Sequence, residues 1–379
     1  MMNRKNQSIL VLLLLMLIMG CKLNSKKEIK VEKKMTDLEV LVGTYTNDKS
    51  KGIYKLTLNN ETGEIKNKKL LVELENPSFL AVSENGEKVY AIQENVKGKV
   101  FSFKWNKVKT KLIEISNVST NGMHPCYVSL NDDENLLSVG NYSSGNVSFF
   151  QLEKNGEINN QFQTKQHDGQ GTFLPRQEKP HVHCTKFYKN NFLYVVDLGI
   201  DEIIGYSKNS NKLGKGKTVL KSSSGDGFRH LTFHPKKSIA YVTTEFTNSI
   251  IVSKINESTG NFTQIQKISL LPKSYSKESF AADIHLSNDG KFLYASNRGN
   301  NSIATYSVNN EGVLTLINHT DVEGNWPRNF GLSKDNKFLI VANQYSNNIT
   351  VFKRDLELGT LTYTGFQTEL SVPVFVKFL

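Results

Sequence analysis

The chain has 379 residues, 38% of them hydrophobic and 10% aromatic, enough to build one large domain with a substantial core. Its formal charge of +11 is concentrated near the N-terminus: two charges sit on Arg4 and Lys5 and a net four in residues 22–34, leaving about +5 for the rest. So thin a spread excludes a nucleic-acid surface, and the absence of any Cys-x-x-Cys spacing excludes the common structural metal sites.

Arg4 and Lys5 precede an apolar run over residues 9–19, which is too short to span a bilayer and predicts a signal peptide over residues 1–21. The small Gly20 before Cys21 resembles a bacterial lipobox, which implies cleavage there and lipidation of Cys21. The expected location is therefore the cell envelope, outside the cytoplasm on its periplasmic or extracellular face, with the membrane reached through the lipid on Cys21. Residues 22–37, with lysines at 22, 26, 27, 30, 33 and 34, read as a basic solvated tether.

From residue 38 onward one phrase recurs about every fifty residues. A Pro or Phe leads a short apolar segment, then come a polar turn, an apolar run ending in Asn, Asp or Glu, and a second alternating run. The copies begin at Pro77, Pro125, Pro180, Phe228, Phe280 and Pro327, and the step from Pro125 to Pro180 is the longest. Units of this length hold about four strands, with period-2 alternation such as Ile303 and Thr305 against Ala304 and Tyr306. Turns are built from Asn, Asp and Gly, as in Asn288-Asp289-Gly290. His234-Pro235 fills the equivalent turn one blade earlier and reads as surface.

Before Pro77, residues 38–58 match the second and third strands of a unit whose first strand is missing. The chain ends in Pro373-Val374-Phe375-Val376-Lys377-Phe378-Leu379, a lone first strand. Pairing the two predicts an all-β, seven-bladed β-propeller over residues 38–379, closed by the C-terminal strand and leaving no open sheet edge.

In an antiparallel blade the start of the innermost strand and the end of the second strand share one rim. Reading the second-strand ends gives Thr44, Glu94, Asn141, Asp197, Glu245, Asn297 with Arg298, and Asn343. The inner-strand starts give Ser78, His124, His181 with His183, Arg229 with His230, Asp283 and Arg328. This rim is overloaded with His, Arg and carboxylates, and substitutions there are expected to change stability little because rim residues bury little apolar area. Asp197, Asp201 and Asp283 also suit capping of backbone N–H groups beside turns. Cys126 and Cys184, just after blade-leading prolines, read as two buried thiols.

Val42-Gly43-Thr44-Tyr45-Thr46, His181-Val182-His183, Phe228-Arg229-His230-Leu231, Ala281-Ala282-Asp283-Ile284-His285, Asn297-Arg298 and Pro327-Arg328-Asn329-Phe330 resemble the seven-bladed lactonase family. That family includes bacterial 6-phosphogluconolactonase and fungal carboxy-muconate lactonising enzyme. The resemblance implies a lactone hydrolase with neither metal nor other cofactor. It implies catalysis by His183, Arg229, Glu245 and Arg298, with His181, Asp197, His230 and Arg328 binding substrate. Lactone opening needs a base near neutral pKa and a cationic group for the developing oxyanion. His183 or Glu245 fits the first role, Arg229 and Arg298 the second. The expected partner is a small sugar or sugar-acid lactone, and the expected state a monomer. Two alternatives stay open: a non-catalytic propeller binding a sugar acid or a protein, and a Ca²⁺ site ringed by Glu94, Asn141, Asp197, Glu245 and Asn297.

Overall fold

The computed structural model describes residues 37–379, except Ser210, Asn211, Ser223 and Ser224 and the side chains of Gln161 and Phe162. The expected signal peptide, Cys21 and the tether up to residue 36 lie outside the described residues. Among those described there is no helix, and 28 strands form seven four-stranded antiparallel sheets. Each sheet is a blade, and the innermost strands of blades 2 to 7 are Leu80–Val82, Pro125–Leu130, Val182–Tyr188, Phe228–Phe233, Phe280–Leu286 and Pro327–Leu332.

Blade 1 is composite. Its inner strand is the C-terminal Pro373–Phe378, paired antiparallel with Leu38–Thr44 in the register Val40↔Phe378 and Val42↔Val376. The first and last strands of the described residues are thus joined by backbone hydrogen bonds, and the ring closes at seven blades as the repeat count predicts.

Second strands read as near-continuous apolar runs, not as alternation, because both of their faces are covered by neighbouring blades. Phe338–Asn343 and Ile239–Thr244 are buried at every position. The core is accordingly divided into seven apolar clusters, one for each seam between blades. A recurrent latch reinforces three seams: the hydroxyls of Tyr194, Tyr241 and Tyr294 donate to the carbonyls of Gly260, Gly312 and Gly359, each in the outer turn of the next blade. The turn glycines adopt positive φ, and a Cβ at Gly359 would lie 2.2 Å from the Phe292 ring.

Cys126 and Cys184 are buried free thiols. His234 departs from its expected place. It is buried, since its Nδ1 accepts the backbone N–H groups of Lys236 and Lys237 and the turn at Gly290 of the next blade covers it.

Candidate active site

The inner strands do not pair evenly with their neighbours. In six blades the register slips near the start of the inner strand, leaving residues with no partner across the ladder. The slipped residues are Val374 in blade 1, Cys126 in blade 3, His183 in blade 4, Arg229 and His230 in blade 5, Ala282 and Asp283 in blade 6, and Arg328 in blade 7. A bulge re-aims a side chain, and here it turns them toward the axis: Val374, Cys126, His183, Arg229, His230 and Arg328 all line one cavity. Ser78, Phe79, Glu94 and Asn329 complete its wall. It encloses about 10 Å³, room for about one water.

Beside the cavity lies a knot of charge. Glu245 Oε2 accepts from Arg229 Nε at 2.9 Å and Arg298 Nη2 at 2.8 Å, while Oε1 accepts from Arg176 Nη2 at 2.9 Å. Burial pushes the Glu245 pKa up, but Arg298, Arg229 and Arg176 outweigh it and bring the carboxyl down to about 2. It is a permanent anion with both oxygens engaged. Arg229, 1% exposed, also donates from Nη1 to His230 Nε2 at 3.2 Å and to the Ala282 carbonyl at 2.9 Å.

His230 is held neutral. Burial and Arg229 lower its pKa to about 4, and because Nε2 accepts from Arg229, Nδ1 carries the proton and donates to Asp283 Oδ1 at 2.8 Å. His183 is also neutral: burial first, then Arg229, His230 and Arg328, hold it well below the ordinary histidine value. Unlike His230, its Nδ1 is buried with no hydrogen-bond partner among the described residues. Across the cavity, Arg328 Nη2 donates to the Tyr45 hydroxyl at 2.9 Å, which donates to Glu94 Oε2 at 2.9 Å; Ser78 Oγ donates to the same carboxylate oxygen.

Of the eight residues expected at the site, the structure gathers His183, Arg229, His230 and Arg328 on the cavity wall, with Glu245 and Arg298 bonded behind Arg229. His181 and Asp197 sit apart. His181 stacks on Tyr142 with ring centroids 4.5 Å apart, and its Nδ1 donates to the Tyr142 carbonyl. Asp197 caps the His181 and Gly199 N–H groups and accepts from His167 Nδ1 at 2.7 Å. The oxygen ring of the calcium alternative is not assembled: Asn141 turns to Asn146 and Thr120, Asn297 to Asn248, and Glu245 is enclosed by arginines.

The sequence reading missed Arg176. It lies on the long segment between blades 3 and 4, where Gln177 pins the loop through its Nε2 to the Leu198 carbonyl. Its guanidinium also sits 4.9 Å over the Phe246 ring, on which Phe173 stacks at 4.6 Å. The longest step of the repeat, Pro125 to Pro180, was the signal for it. Also missed was an aromatic pair at the rim: Trp326 lies 5.5 Å from the Arg298 guanidinium and stacks at 4.7 Å on Tyr345, which is 57% exposed. Trp326 adopts φ +67°, a costly conformation for a bulky residue, so its ring placement is enforced by its surroundings.

Comparison with known proteins places the fold in a family. The chain is 35% identical over 348 residues to 6-phosphogluconolactonase of Bacillus subtilis, covering 91% of this chain and 99% of that one. Among solved structures, the periplasmic gluconolactonase of Pseudomonas aeruginosa superposes with a TM-score of 0.85 at 29% identity, covering 91% of this chain and 99% of that one. A protein of Lactobacillus plantarum also gives 0.85, at 32% identity over 91% of this chain and 100% of that one. The family model described as lactonase, 7-bladed beta-propeller, matches residues 39–378, and with that coverage the chain belongs to the seven-bladed β-propeller lactonase family.

Proposed function

We propose that the protein is an exported lactonase that opens an anionic sugar or sugar-acid lactone at the mouth of the bulge-lined cavity, which has room for the attacking water. The observation that carries this reading is His183: a neutral imidazole with a free, buried Nδ1, surrounded by fixed guanidinium groups. Nδ1 takes a proton from water as the water oxygen bonds to the lactone carbonyl carbon. The carbonyl oxygen becomes an oxyanion beside Arg229 and Arg328, which stabilise it most in the transition state. Collapse of the tetrahedral intermediate breaks the bond to the ring oxygen, and His183 returns its proton there, giving the hydroxy acid.

Glu245 takes no proton in this scheme. With its pKa near 2 and its oxygens engaged, it orients Arg176, Arg229 and Arg298. Four arginines face Glu94 and Glu245, with Asp283 beyond His230, and the remaining positive charge favours a substrate carboxylate or phosphate. Trp326 and Tyr345 offer an apolar face suited to a sugar ring. Export rests on the residues before Asp37, and the Pseudomonas relative is described as periplasmic. A monomer anchored through Cys21 fits the self-closed ring.

Hydrolysis of a panel of γ- and δ-lactones by the purified protein, with and without chelator, tests the reading. Turnover of acidic or phosphorylated sugar lactones that survives chelator is expected. Binding without turnover of any lactone would leave a non-catalytic propeller, and loss to chelator would require a metal.

A further inference from the structure

The cavity described above has a floor. Phe79, His230 and Asn329 line it from one side and a second, larger space from the other, and that space runs on along the central channel with a volume of about 270 Å³. All seven inner strands contribute to its wall, from Leu80 of blade 2 round to Lys377 of blade 1. We propose that this lower channel is a second binding site, for a small oxyanion of the phosphate or carboxylate type.

Charge is the first argument. Lys186 and Lys377 line the space, and neither has an ion pair or hydrogen bond from its ammonium group among the described residues. Asp283 is the carboxylate in the wall, but its oxygens are turned to His230, His285, Asn329 and its neighbour's backbone N–H, so it pairs with neither lysine and leaves the wall net positive. The Lys377 pKa is pushed down by lost hydration of its ammonium and by Lys186 and Lys334, although part of the side chain reaches solvent. An anion between the two lysines relieves their mutual repulsion.

The second argument is the wall itself. His285, 38% exposed and bonded through Nε2 to Asp283, adds a polar ring to the wall. Lysines, compact and strongly hydrated, suit a small oxyanion that keeps part of its water. The volume accommodates phosphate or a short sugar acid and excludes a peptide or polymer.

The site is independent of the lactonase reading, and calorimetry of the purified full-length protein with inorganic phosphate tests it. Saturable binding is expected, weakened about tenfold or more by Lys377→Met and by Lys186→Met and retained in Lys377→Arg, with the melting temperature checked for each. Arg328→Met, which alters only the upper cavity, should leave this binding in place. Absence of saturable binding, or binding lost in Arg328→Met and untouched in both lysine variants, would overturn the proposal. Should Lys377→Met fail to fold, Lys186→Met with Lys377→Arg gives the same decision.

Discussion

At the scale of single residues, the site is held by buried charge, and this reverses one expectation. A rim position was expected to be cheap to mutate, yet Arg229 is among the largest fully buried side chains of the protein. Arg229→Ala leaves Glu245 one cation short and strips His230 Nε2 of its donor, so it should cost about 3–5 kcal/mol of stability as well as activity. Glu245→Gln should lower lactone turnover on the order of a hundredfold by releasing three guanidinium groups, with a smaller change in KM. Steady-state kinetics and denaturant melts measure both. Acid stability follows from the two neutral histidines. The unfolded chain takes up protons below about pH 6.5, whereas folded His230 resists until about 4 and His183 also stays neutral, so the folded state binds fewer protons in that window. Stability should fall as pH drops from 6.5 toward 4, by on the order of 3 kcal/mol for His230 alone. Glu245 adds a further loss only as pH falls from its unfolded value through about 2. A melting temperature flat between pH 7 and 5 would contradict this assignment.

At the scale of elements, the decisive feature is the bulge. Repeat spacing and period-2 alternation showed where the inner strands begin, and so which residues stand at the rim. They carried no mark of the register slips, because a bulge is a property of pairing between strands and not of either strand alone. That is why His181 and Asp197 were grouped with His183: all three stand at the same rim, but only His183 is the residue skipped by the register between Val182 and Cys184 and placed on the cavity wall. Arg176 escaped for another reason, since a loop side chain that reaches across a blade leaves no periodic trace. Closure, by contrast, was plain in the sequence, as a first strand missing at one end and present at the other. Deleting residues 373–379 removes three residues of the two apolar seams that flank blade 1, Phe375, Val376 and Phe378, and opens the ring. The truncated chain should lose its cooperative unfolding transition and its solubility. A transition at the original temperature, followed by circular dichroism, would contradict the closure.

At the scale of the whole molecule, seven nearly equivalent blades form a closed ring, and the proposed function rests on the positions where the equivalence is broken. Family membership was legible because ordered motifs fall in blades 1 and 4 to 7, while the division of labour between His183 and Glu245 needed the hydrogen bonds. The fold places the proposed catalytic cavity on the axis, and the proposed anchor, Cys21, belongs to a separate segment of the sequence. Cys21→Ala should therefore release the protein from membranes or block its processing without altering lactone kinetics, as read by detergent-phase partitioning and activity of the same sample. The central claim is that His183 is the base and Glu245 its charged support. It is tested most directly by kcat/KM against pH, with one lactone substrate, in the wild type and in His183→Ala. The expected wild-type profile stays level below the ordinary histidine value before falling, and His183→Ala should be slowed about a hundredfold or more with that acidic limb gone. An unchanged limb in His183→Ala, moved instead by Glu245→Gln, would contradict it.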